Sequence, residues 1–93
     1  MAKQETLDAV KLALRVSTSA LDSDIGDEID ACLADLRICG VKYADEGEEL
    51  ILNAVKLWCR AVMAEDVNRA QMYHQRYDGL KACLMMAEEY RDE

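Results

Sequence analysis

The chain has no proline anywhere in its 93 residues, and this absence constrains its fold more than any other feature. Proline removes a backbone donor and breaks helix interiors. Without it the only strong local breakers are four glycines, at positions 26, 40, 47 and 79. Long helices follow wherever the apolar residues keep a helical period, and they keep it almost throughout.

A first helix is predicted over residues 6–15, with Thr6 as N-cap and Leu7, Val10 and Leu14 on one face. Ser17, Thr18 and Ser19 form a polar break, and Asp22 and Asp24 offer acceptors to the free N–H groups of the next helix. That helix, residues 22–39, carries Ile25, Ile29, Cys32, Leu33 and Leu36 on an amphipathic stripe. Gly40 is placed to end it in the left-handed conformation. Residues 41–47 are the one candidate for a short extended segment, because Val41 and Tyr43 alternate with polar residues.

A central helix over residues 48–65 has Leu50, Ile51, Ala54, Val55, Leu57, Trp58, Ala61 and Val62 around more than half its circumference, the pattern of a helix covered on two sides. Glu48 and Glu49 suit the positive end of its dipole. The last helix, residues 68–90, is expected to start on Asn68 as its cap and to present Ala70, Tyr73, Tyr77, Leu80, Leu84 and Ala87 at steps of three and four. The result is a single all-α domain, 1–93, of four helices. Its expected core is Leu14, Ile25, Ile29, Leu33, Leu36, Ile51, Val55, Trp58, Val62, Tyr73, Tyr77 and Leu80. Gly79, inside the last helix, costs about 1 kcal/mol relative to Ala unless another backbone approaches there.

At this length a core removes only about 60% of the unfolded chain's surface from water, which favours completion by a partner or another copy. The opening residues lack an apolar run, and residues 50–64 are interrupted by Lys56 and Arg60, so neither an export signal nor a membrane span is expected. Cys32, Cys39, Cys59 and Cys83 form no C-x-x-C pair and read as small buried hydrophobes. Cys32 and Cys39 lie about 10 Å apart along a helix axis, too far to share one metal unaided.

The single histidine, His74, has no second histidine and no nucleophile pattern to serve, so no catalytic residue, metal or cofactor is expected. The acids from Asp22 to Asp35 lack the spacing of a calcium loop. The charge is nevertheless informative. Residues 22–49 hold ten carboxylates against only Arg37 and Lys42, which accounts for the whole net charge of −8; the rest of the chain is balanced. Such a surface repels anions or attracts a basic partner. Met72, Met85, Met86, Cys83 and Tyr90 form a second apolar set on the last helix and its tail, and methionines adapt to irregular contacts.

The order of segments resembles a known family. Leu7-Asp8-Ala9-Val10-Lys11-Leu12-Ala13-Leu14-Arg15-Val16, an acidic break, and Asp24-Ile25 leading to Ile29 and Ala31 are similar to the N-terminal half of tailed-phage head–tail connector proteins of the DNA-packaging type. Leu50-Ile51-Leu52-Asn53-Ala54-Val55-Lys56-Leu57-Trp58, then Tyr77-Asp78-Gly79-Leu80-Lys81, Leu84 and Glu89-Tyr90, resemble the family's central and C-terminal helices in order and spacing. Relatives often carry Gly or Pro between the last two helices, where this chain has Ala64-Glu65-Asp66-Val67-Asn68.

The resemblance implies a structural adaptor of phage or prophage, not an enzyme. It would act in the virion at the head–tail interface after assembly in the host cytoplasm. It implies a homo-oligomeric ring on the portal protein that extends the DNA channel, lets DNA pass without specific binding, and docks a stopper or tail-completion protein. On that reading Asp27, Glu28, Asp30 and Asp35 are expected on the channel or ring surface, and Leu84, Met85, Met86 and Tyr90 at an oligomer or portal contact. The alternative is a small acidic regulatory module of antitoxin or anti-repressor type, a dimer zipped along the stripe from Tyr73 to Ala87.

Overall fold

The computed structural model describes residues 3–41, 48–87 and 90. It has the all-α architecture: α1 (Gln4–Leu14), α2 (Asp22–Ile38), α3 (Glu49–Met63) and α4 (Val67–Met86). Of the stretch expected to be extended, Val41 is buried and its N–H reaches back to Leu36 O at 3.0 Å; residues 42–47 lie outside the described residues.

The helix ends differ from expectation in ways that follow from capping chemistry. α1 begins a turn early, with Lys3 C=O accepting from Leu7 N at 3.0 Å, so Thr6 is an interior, buried residue and not the cap. α3 starts under the Glu48 carboxylate, which accepts from Leu50 N and Ile51 N, and ends at Met63 because Ala64 turns extended. At α4 the cap is Asp66, not Asn68: its carboxylate accepts from Asn68 N at 2.8 Å and adds negative charge at the helix's positive end. α4 closes at Met86, where Ala87 becomes extended, four residues short of Tyr90.

α3 is the centre of the bundle and packs against all three other helices. It buries Ile51, Ala54, Val55 and Cys59, spaced to one face, against Val10 of α1 and Ile25, Ile29, Cys32, Leu33 and Leu36 of α2. Tyr77 and Leu84 complete the core from α4, while Leu14, Trp58 and Leu80 pack half-buried at its edge. Tyr73 is half-buried too. Val62 is a correction: it lies on the stripe but in the last turn of α3, where it is 49% exposed while Met63 beside it packs against the core. Gly79 has nothing within 4 Å of where a Cβ would stand, so it marks no close approach of another backbone.

The short turn at 64–66 folds α4 back along α3, bringing Arg60 to Tyr73 and Trp58 to Tyr77. Lys11 of α1 pairs with Asp22 at the start of α2 across 2.7 Å. One end of the 40 × 29 × 18 Å body therefore gathers the last turns of α1 and α3 and the first turns of α2 and α4. The other end gathers the last turns of α2 and α4 and the first of α3.

Candidate functional site

The acids of α2 divide between two faces. Asp24 and Asp27 are exposed, with no ion pair among the described residues. Glu28 and Asp35, seven residues apart, instead point toward α3 and α4: Trp58 Nε1 donates to Glu28 Oε1 at 3.0 Å, and Asp35 Oδ2 accepts from Tyr77 Oη at 2.6 Å and Lys81 Nζ at 3.1 Å. Asp30 is half-buried and also engaged. Asp27, Glu28, Asp30 and Asp35, expected on the channel or ring surface, thus do not share one face of the bundle. Helical geometry turns 28 and 35 inward, where they tie α2 to its neighbours.

Partial burial alone would raise the Asp35 carboxyl, but the Tyr77 hydroxyl and the Lys81 ammonium outweigh it and hold the group below its ordinary value of 3.8. Lys81 is likewise pushed down by burial and up by Asp35, and the carboxylate wins, leaving it above 10.5. The signs fix the pH dependence. Stability from Asp35 is complete above its unfolded value and lost as pH falls through the lower folded one; that from Lys81 is complete below 10.5 and lost as pH rises through the higher folded one. Asp35→Asn is expected to cost about 1–3 kcal/mol at neutral pH and less in strong acid, measured by urea unfolding at pH 7 and near pH 2. An equal cost at both would show that the charge on Asp35 contributes nothing.

The expected C-terminal contact set also splits. Leu84, 2% exposed, and Tyr90, 9% exposed, belong to the chain's own core, because the stripe of α4 that carries Tyr77 and Leu84 faces α3. That burial also removes the stripe as a zipper for a dimer. Met85 and Met86 remain exposed, at the same end of the bundle as the exposed Ile38 and Leu50.

The opposite end holds a feature that sequence reading missed. A groove of about 820 Å³ opens where the last turn of α1, the end of α3 and the first half of α4 meet, and Arg15, Arg60, Arg69 and Arg76 all line it with Tyr73, Glu65 and Asp66. These are four of the chain's six arginines. Arg60 is partly committed: it reaches Ala13 O at 3.5 Å, one of the free carbonyls closing α1, and lies 5.7 Å from the Tyr73 ring centre. Arg15, Arg69 and Arg76 are exposed and make no ion pair among the described residues. Arg69, Tyr73 and Arg76 share a helix face at offsets of four and seven, a legible signal; Arg15 and Arg60 join them only through the fold.

Arg15 ends α1 with φ 59°, while Val16 N bonds Lys11 O at 2.9 Å. Glycine adopts this left-handed conformation without strain, whereas a side chain raises its cost by about 1–2 kcal/mol. The chain accepts that strain and thereby places a guanidinium at the rim of the groove.

Of the four cysteines expected to be buried, Cys32 and Cys59 are, whereas Cys39 is half-buried and Cys83 exposed, and none lines the groove. Burial pushes Cys32 and Cys59 up to about 12, so both stay protonated at neutral pH. Among the described residues no group of His, Cys, Asp and Glu is arranged to hold a metal ion, and no helix is long and apolar enough to cross a membrane. The family model described as phage connector protein matches residues 6–91. No curated protein and no solved structure matches the chain.

Proposed function

Because the chain belongs to the phage connector protein family, a family of structural proteins acting among phage head and tail components, we propose that it is a head-completion adaptor. Copies join into a ring on the portal, extend the DNA channel and dock a stopper or tail-completion protein. The observation that carries this reading is a bundle with unspent contact surface at both ends: Leu12, Val62 and Val67 are exposed at one, Ile38, Met85 and Met86 at the other. Such surface is expected of an element held between neighbours. The net charge of −8 leaves passing phosphate groups repelled, so DNA slides without being gripped. That repulsion comes from the molecule's total charge, since Glu28 and Asp35 are engaged by groups of α3 and α4.

Native mass measurement of the full chain at rising concentration, alone and with a portal ring, tests the proposal. The expected result is one closed high-order species, or saturable binding to the portal at ring stoichiometry. A species that stops at a dimer, or a monomer that ignores the portal, overturns it.

A further inference from the structure

We propose that the arginine groove of one copy receives Asp24 and Asp27, on the outer face of α2, from the next copy; the inference rests on the ring assembly proposed above. The groove's charge matches this occupant. Four guanidiniums face two carboxylates, Glu65 and Asp66, which leaves a surplus that two aspartates neutralise. Guanidinium forks pair with carboxylates through two parallel hydrogen bonds, and Arg is enriched in protein interfaces.

The rim selects a protein over a nucleic acid. Leu12, Val62, Val67 and Met72 are exposed apolar residues, each adjoining a groove-lining residue in sequence. A phosphate backbone would have no use for them, and it would meet the repulsion of a body carrying −8. The face offered by α2 is suited to close approach: after Asp24 and Asp27 the same exposed stripe continues with Ala31 and Ala34, which have almost no side chain to clear.

The two surfaces also stand at the same height. The Lys11–Asp22 pair sets the start of α2 beside the last turn of α1, at the end of the bundle where the groove opens. Neighbours can therefore meet side by side without sliding along the bundle axis. Groove and stripe are different surfaces of one chain, so a head-to-tail contact between them leaves one of each free at the ends of a row, and a rotation that closes joins them into a ring. The assignment moves Asp27 from a channel lining into a joint between subunits.

Charge exchange in the full chain tests this, with assembly followed by sedimentation velocity over a concentration series. Arg69→Glu with Arg76→Glu, and separately Asp24→Lys with Asp27→Lys, should each weaken self-association roughly 100-fold or more, as like charges now face each other. All four substitutions together should restore it. The altered residues are exposed, and far-UV circular dichroism checks that each variant keeps its helices. Wild-type rings with both double variants assembling normally would overturn the groove assignment and leave the adaptor reading intact. Loss with the arginine pair alone, or loss of portal binding without loss of self-association, would show that another acidic segment occupies the groove, and would also overturn it. A wild-type chain that never assembles and ignores the portal would remove both readings.

Discussion

Replacing Tyr77 with Ala is expected to destabilise the fold by about 3–5 kcal/mol, a large part of the roughly 5–15 kcal/mol that holds an ordinary domain together. Three interactions end at this one buried side chain. Its ring is 1% exposed, meets Trp58 edge-on at 5.2 Å and 75°, and carries the Lys81 ammonium 5.3 Å from its centre. Its hydroxyl donates to Asp35 at 2.6 Å and, with Lys81, ties α4 to α2. Burial, reinforced by Asp35, pushes that hydroxyl above the usual tyrosine range, so it is a donor at neutral pH. Tyr77→Phe separates the two contributions. It should keep the ring packing and cost about 1–2 kcal/mol through the lost hydrogen bond to Asp35, which Lys81 still pairs. Trp58, the only tryptophan, reports both unfolding curves by fluorescence. A Tyr77→Ala loss below about 1 kcal/mol would mean that α4 is not anchored through this residue.

The second large effect is expected at Ile29, where Ala should cost about 2–5 kcal/mol. Ile29 is fully buried in the middle of α2, within the cluster that joins α2 to α3, and close packing there leaves a cavity that its neighbours fill only in part. Leu12→Ala is the control. Leu12 belongs to the same chemical class but is 81% exposed, and its loss should change stability by no more than about 0.5 kcal/mol. Urea unfolding of the two variants side by side checks both values. A Leu12 cost comparable to that of Ile29 would show that the isolated chain already covers α1 by self-association.

Much of this fold was legible because helical period is a strong signal when no proline interrupts it. The stripe Ile25, Ile29, Cys32, Leu33, Leu36 specifies which side of α2 is buried, and the structure buries that side. Cap positions were less legible. Thr6 and Asn68 have good capping chemistry, yet Lys3 and Asp66 hold those positions, since a helix start depends on where the preceding turn delivers the backbone. Val62 illustrates the limit of periodicity, which gives a residue's angle around the axis but not whether a neighbour extends far enough to cover it. The candidate site was least legible. Counting charge along α2 treats Glu28 and Asp35 like Asp27, although the step of about 100° from residue 27 to 28 separates a free carboxylate from a structural one. The arginine groove draws on α1, α3 and α4, and nothing in the linear order joins Arg15 to Arg76.

The chemical contrast between the two extremities has a consequence for any array built from this chain. Four guanidinium groups crowd one pole, while Ile38, Leu50, Met85 and Met86 leave an apolar patch at the other, so inverting a subunit exchanges its end contacts for mismatched ones. Orientation is thereby written into each molecule before assembly begins, and a complete circle of such molecules presents unlike upper and lower decks, as a joint between two different machines requires.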